Sequence, residues 1–169
     1  VDNHYDTSNL RAVTLKGEWK AMDESRDAFT GFATVDSYTS ASTIQIPLTR
    51  PFAKLRVKTN DLADLALLSI FPAKATVTYT TDLSVAFNAV EGKAKASDSN
   101  ANTITKTVSY DTDAYEGDSA TLFTDYLIVD EGVVKFTMDV KQASDRLIKS
   151  NNFNTDIPVK RNCLTTIAG

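Results

Sequence analysis

Phe52-Ala53-Lys54-Leu55-Arg56-Val57-Lys58-Thr59 is the stretch that decides the fold. Ala53, Leu55 and Val57 share one parity, while Phe52, Lys54, Arg56 and Lys58 share the other. Successive side chains of an extended chain point to opposite faces, so the aliphatic set lines a core and the basic set meets solvent. The habit recurs further on, where Val134, Phe136, Met138 and Val140 point one way and Lys135, Thr137, Asp139 and Lys141 the other. Period-2 alternation predicts strands over residues 12–20, 28–35, 43–48, 52–59, 75–80, 85–90, 103–110, 120–129, 133–141 and 157–167.

One helix signal stands among them. Asn60 or Asp61 can cap Leu62-Ala63-Asp64-Leu65-Ala66-Leu67-Leu68, and Pro72 closes the run. Leu62, Leu65 and Leu68 or Ala66 fall on one face. Residues 93–102 and 143–156 are polar and read as loops, and residues 111–119 form an acidic one. Many short strands with a single short helix predict an all-β fold, a two-sheet β-sandwich of about 7–10 strands. At 169 residues the chain fits one ordinary domain able to bury a core.

Composition removes several functions. A formal charge of −4 argues against nucleic acid or an anionic membrane surface as the main partner. A single cysteine, Cys163, excludes an intrachain disulfide, and no apolar run reaches the roughly 20 residues of a membrane helix. The polar start, Val1-Asp2-Asn3-His4, is not a signal peptide and lacks an initiating Met, so the chain is expected to be a trimmed product, in keeping with export.

Catalysis and cofactors find little support. His4 is the sole histidine and lies in a polar terminus expected to fray, so no Ser-His-Asp or Cys-His pair can be assembled on the folded body. One His and one Cys cannot complete a zinc site. Asp111, Asp113, Glu116 and Asp118 crowd one loop with Gly117, but they do not match an EF-hand and read as a solvated acidic turn, with weak calcium binding left open. The glycines are scattered singly, so no phosphate loop is present. Cys163 is expected to be a small buried thiol, and Lys54, Arg56 and Lys58 a solvated basic ladder. No enzyme, cofactor or resident metal is expected.

The chain's last stretch, Ile157-Pro158-Val159-Lys160-Arg161-Asn162-Cys163-Leu164-Thr165-Thr166-Ile167-Ala168-Gly169, reads as one strand that stops in mid-pattern. Such a strand points to continuation, into further sequence or onto a partner, and favours assembly over chemistry.

Three stretches carry a resemblance. Leu48-Thr49-Arg50-Pro51-Phe52-Ala53-Lys54-Leu55-Arg56-Val57, Ala120-Thr121-Leu122-Phe123-Thr124-Asp125-Tyr126-Leu127-Ile128-Val129 and the terminal stretch above are similar, in order and spacing, to strands of the fimbrillin family of Bacteroidales type V pili. Together they organise most of the chain. Cys163 departs from the family pattern, which usually has Tyr there. The resemblance implies a transthyretin-like β-sandwich, exported as a lipoprotein precursor and displayed as a surface fimbria on the outer membrane. It also implies a second domain after Gly169.

Family subunits are trimmed after an Arg and polymerise by donor-strand exchange. Carried onto this chain, the resemblance makes Arg11 the candidate cleavage point, with residues 1–11 a polar tail open to removal and residues 12–169 one domain. It makes Ala12, Val13, Thr14, Leu15 and Trp19 a candidate removable first strand, and Ile157, Val159, Cys163, Leu164 and Ile167 a candidate terminal strand for assembly. Asp118-Ser119-Ala120 fits a short O-glycosylation pattern at Ser119. The expected partners are other fimbrial subunits, and beyond them a host protein or glycan. The rival expectation is a monomeric surface domain that binds carbohydrate or a host ligand through Tyr115, Tyr126 or Trp19 at loop tips.

Overall fold

The computed structural model describes residues 3–18, 20–35, 43–96, 104–109 and 117–169. Among them the fold is all-β. The first strands are β1 (Tyr5–Asp6), β2 (Val13–Leu15), β3 (Ala53–Thr59) and β4 (Lys74–Tyr79). Then come β5 (Ala86–Asn88), β6 (Lys93–Ala94) and β7 (Ile104–Ser109). The last are β8 (Ala120–Leu127), β9 (Glu131–Lys141), β10 (Leu147–Lys160) and β11 (Leu164–Ala168). A 3-10 turn at Glu24–Arg26 and a helix, α1 (Leu62–Leu67), complete the elements.

The strands form three sheets, ordered β10-β9-β4-β7, β11-β3-β8 and β1-β2-β5-β6. The first two face each other as a sandwich. Alternation puts Ala53, Leu55 and Val57 of β3 and Phe123 and Leu127 of β8 against Ala75, Val77 and Tyr79 of β4 and Val134, Phe136, Met138 and Val140 of β9. Phe136 is fully buried and packs, tilted, against Tyr79 and Phe153 at ring distances of 5.9 and 4.6 Å. A register shift between Val57 and Lys58 lets Leu122 bulge inward beside Phe123, so both are buried.

Each of the three stretches that carried the family resemblance supplies a strand to one sheet, β11-β3-β8. β3 pairs with β8 antiparallel and with β11 in parallel. The expected terminal strand is therefore not continuous. It splits into the end of β10, a turn at Arg161–Cys163, and β11 in the opposite sheet. The break has a local cause: Asn162 takes a left-handed backbone, φ 61°, which Asn tolerates better than most residues. Its N–H donates to Phe52 O at 2.7 Å, and its Oδ1 accepts the Arg50 N–H at 3.1 Å.

Other departures from the alternation have equally local causes. β2 stops at Leu15 and is followed by Gly17, φ 72°. Residues 28–35 and 43–48 form no strand; beside them stands a single isolated bridge, Thr30–Thr49. Pro47 brings no N–H to a ladder, and a side chain at Gly31 would strike Pro47 O at 2.6 Å. Residues 147–156, expected as loop, belong to β10, because pairing with β9 overrides their polar composition. Asp61 holds the N-cap position of α1 but makes no side-chain cap; Asp118 Oδ1 instead accepts the Ala63 N–H at 3.1 Å. Only Leu62 of the expected helix face is buried, and Leu68 is exposed.

Replacing Phe136 by Ala removes the ring shared by β4, β9 and β10. We expect a loss of about 3–5 kcal/mol in unfolding free energy by urea titration. A loss under about 1 kcal/mol would show that this ring does not organise the core.

Candidate functional site

The N-terminal sheet covers the outer face of β8. Tyr5, on β1, is 6% exposed and stacks on Phe52 at 5.8 Å, and Phe52 meets Tyr126 edge-on at 5.6 Å. Phe87 and Ile128 complete this second core. The expected polar tail is thus a strand with an anchor, because an aromatic ring three residues beyond Asp2 fills a gap between β3, β5 and β8. The Tyr5 hydroxyl donates to Arg26 O at 2.5 Å, and burial pushes its pKa up from 10.0 to about 12.

Arg11 lies in the turn between β1 and β2, with its side chain 69% exposed and a 3.7 Å contact to Glu91. Such a pair on open surface adds little stability. β1 precedes Arg11, and Val13, Thr14 and Leu15 follow it. A cut at Arg11 therefore releases β1, and leaves β2 paired with β5 at Val13–Phe87 and Thr14–Ala86. The residues expected as a removable strand stand on the retained side. Beneath them runs an apolar cavity of about 550 Å³, walled by Tyr5, Leu10 and Val13 on one side and by Phe29, Phe32 and Phe52 on the other.

At the opposite end, β11 is an edge strand whose Leu164 is 47% exposed and whose Ile167 is half-buried against the main core. Val159 is buried and Ile157 half-buried, both on β10. Cys163 is exposed in the turn, not buried as expected, because the chain changes sheets at that point. Between the edges of β10 and β11 a groove of about 560 Å³ reaches Leu122, Met138 and Phe153.

Ser119 is exposed beside the start of β8. Tyr126 is not at a loop tip. It is 3% exposed, donates to Glu24 Oε2 at 2.7 Å, and has its pKa raised chiefly by burial. Trp19, Tyr115, Asp111, Asp113 and Glu116 lie outside the described residues. The basic ladder is partly covered: Lys54 bonds both Glu24 oxygens, at 2.8 and 2.6 Å, and lies 5.2 Å over the Tyr126 ring. Among the described residues no three His, Cys, Asp or Glu side chains could hold a metal, and no helix is long and apolar enough to cross a membrane.

Sequence reasoning missed a buried charge cluster. Asp125 is 1% exposed between Lys106, which bonds its Oδ2, and Arg26, whose Nη1 lies 3.8 Å from its Oδ1. The Tyr79 hydroxyl donates to Asp125 Oδ2 at 2.9 Å. Burial, then the Asp125 charge, raises the Tyr79 pKa well above its usual value. The signal was present in the strand pattern: Lys106 shares the inward parity of Ile104 and Val108, and Asp125 that of Phe123 and Leu127.

Unfolding releases the Tyr5 proton between its unfolded pKa of 10.0 and its folded value of about 12. Stability should therefore fall as pH rises through that window. Urea midpoints should drop more steeply for the native chain than for Tyr5→Phe, although Tyr126 adds a fall of the same sign in both. Parallel curves would show that Tyr5 does not anchor β1.

The sequence model of a family described as being of unknown function, DUF6562, matches residues 1–169. No curated protein and no solved structure matches the chain.

Proposed function

We propose that this chain, which belongs to the DUF6562 family of unknown function, is a structural or adhesive subunit of a bacterial surface fimbria that polymerises by strand exchange after trimming at Arg11. The observation that carries the reading is the place of Arg11: an exposed basic residue in the turn between β1 and β2, five residues after a strand whose one large side chain, Tyr5, is buried in an aromatic cluster. Cutting there frees β1 and leaves two vacancies, the unpaired edge of β2 and the site of the Tyr5 ring against Phe52.

An extended segment from another copy satisfies both. Its backbone pairs with β2, and its apolar side chains refill the Tyr5 site. The donor that fits is the terminal segment, with Leu164 and Ile167 as anchors, since β11 is held along one edge only. Each apolar side chain buried in the exchange contributes roughly 1.5–3 kcal/mol, offset by the loss of the β11–β3 pairing. Export, surface display and lipoprotein processing belong to the same proposal. The rival, a glycan-binding monomer, has less support: Tyr126 is buried and the cavity walls are hydrocarbon.

Brief trypsin treatment should cut first after Arg11. The product should elute as oligomers in size-exclusion chromatography and run as a ladder on denaturing gels without heating, while Arg11→Ala stays monomeric. A resistant Arg11, or a cut chain that remains a stable monomer, would sink the reading.

A further inference from the structure

Lys106 and Asp125 form a buried ion pair inside the sandwich. They stand on β7 and β8, strands of the two facing sheets, with side chains 3% and 0% exposed. The two carboxylate oxygens are held differently. Oδ1 accepts the backbone N–H of Tyr126 at 2.9 Å and lies 3.8 Å from Arg26 Nη1. Oδ2 meets the Lys106 amine and accepts the Tyr79 hydroxyl at 2.9 Å. Burial lowers the Lys106 pKa to about 8 against the opposing pull of Asp125, so this amine gives up its proton more readily than a surface lysine. An amine and a carboxyl fixed side by side in a water-excluded site need no encounter step.

The geometry points to an amide cross-link between Lys106 Nζ and Asp125 Cγ, formed by the chain itself and stapling the two sheets of the sandwich. One ammonium proton passes to Oδ2, leaving a free amine and a carboxylic acid. Nζ then attacks Cγ, and negative charge gathers on Oδ1. That oxygen accepts the Tyr126 N–H at 2.9 Å, and the Arg26 guanidinium, 3.8 Å away, adds positive charge beside it. A second proton from Nζ reaches Oδ2, with the Tyr79 hydroxyl as relay. The Cγ–Oδ2 bond breaks and one water departs, while the third hydrogen stays on the amide nitrogen. Nothing is oxidised or reduced and no co-reactant is consumed. The product replaces the Lys106 and Asp125 charges by a neutral amide, and the Arg26 guanidinium keeps its bond to Lys20 O at 2.5 Å.

The test is the intact mass of the full chain, unfolded in denaturant, and it is independent of strand exchange. The native sequence should weigh one water less than its residues require, and tryptic mapping should yield a branched peptide joining the Lys106 and Asp125 segments, uncut after Lys106. Lys106→Met and Asp125→Ala should carry full mass, and Asp125→Asn should lose ammonia in place of water. A native chain at full mass, a water loss mapped elsewhere, or a deficit that persists in Lys106→Met would overturn the inference.

Discussion

The sandwich depends on a crossing of three residues. At Lys160 the chain is the edge of one sheet, and at Leu164 it is the edge of the other. Arg161, Asn162 and Cys163 make that passage, and each is tied to the frame. The Arg161 N–H donates to Asp130 O at 2.7 Å, and the Cys163 carbonyl accepts the Lys54 N–H at 2.9 Å. Between them Asn162 bridges Arg50 and Phe52. The crossing sets the parallel register of β11 on β3 from Leu164–Lys54 to Ala168–Lys58. A parallel strand cannot reach its neighbour by a tight hairpin, so its register must be imposed from outside the pair. Here Asn162 imposes it, through a backbone shape that most residues resist.

A second constraint comes from β8. Its inward face belongs to the sandwich, and its outward face is covered by the N-terminal segment, so six of its residues in a row are buried. A strand covered on both sides needs both covers. The outer one is held by Tyr5 in its aromatic site, by the Met22 N–H donated to Thr124 O at 2.8 Å, and by the Arg26 side chain among the buried charges. Arg50 adds a two-pronged bond to Asp27, with Nε at 2.7 Å and Nη2 at 2.7 Å. The first 27 residues are thus joined to the sandwich at several points. β1 itself is only two residues long, so its hold rests on the Tyr5 side chain more than on its ladder.

Much of this was legible in the alternation. Ala53 to Val57 and Val134 to Val140 were assigned to the core by parity alone, and their near-zero exposure follows. Lys106 and Asp125 share the parity of inward-facing residues, but parity alone does not say that two charges from different strands meet. A lone inward charge is costly, and only its partner, drawn from another sheet, makes it tolerable. Residues 28–35 and 43–48 show the opposite failure. They alternate like strands, but Phe29, Phe32, Ile44, Ile46 and Leu48 remain exposed, because no neighbouring ladder pairs with them.

The sequence by itself determined that this is a β protein and which faces of its strands are buried. Those properties depend on residue type and on a period of two, both local. The tertiary structure alone decided that the terminal stretch divides between two sheets, that Tyr5 belongs to a core, and that one carboxylate meets two cations in the interior. Each of these depends on residues far apart in the chain, 19 positions for Lys106 and Asp125 and 112 for Arg50 and Asn162. No local period encodes a contact at that separation; packing sets it once the sheets have closed.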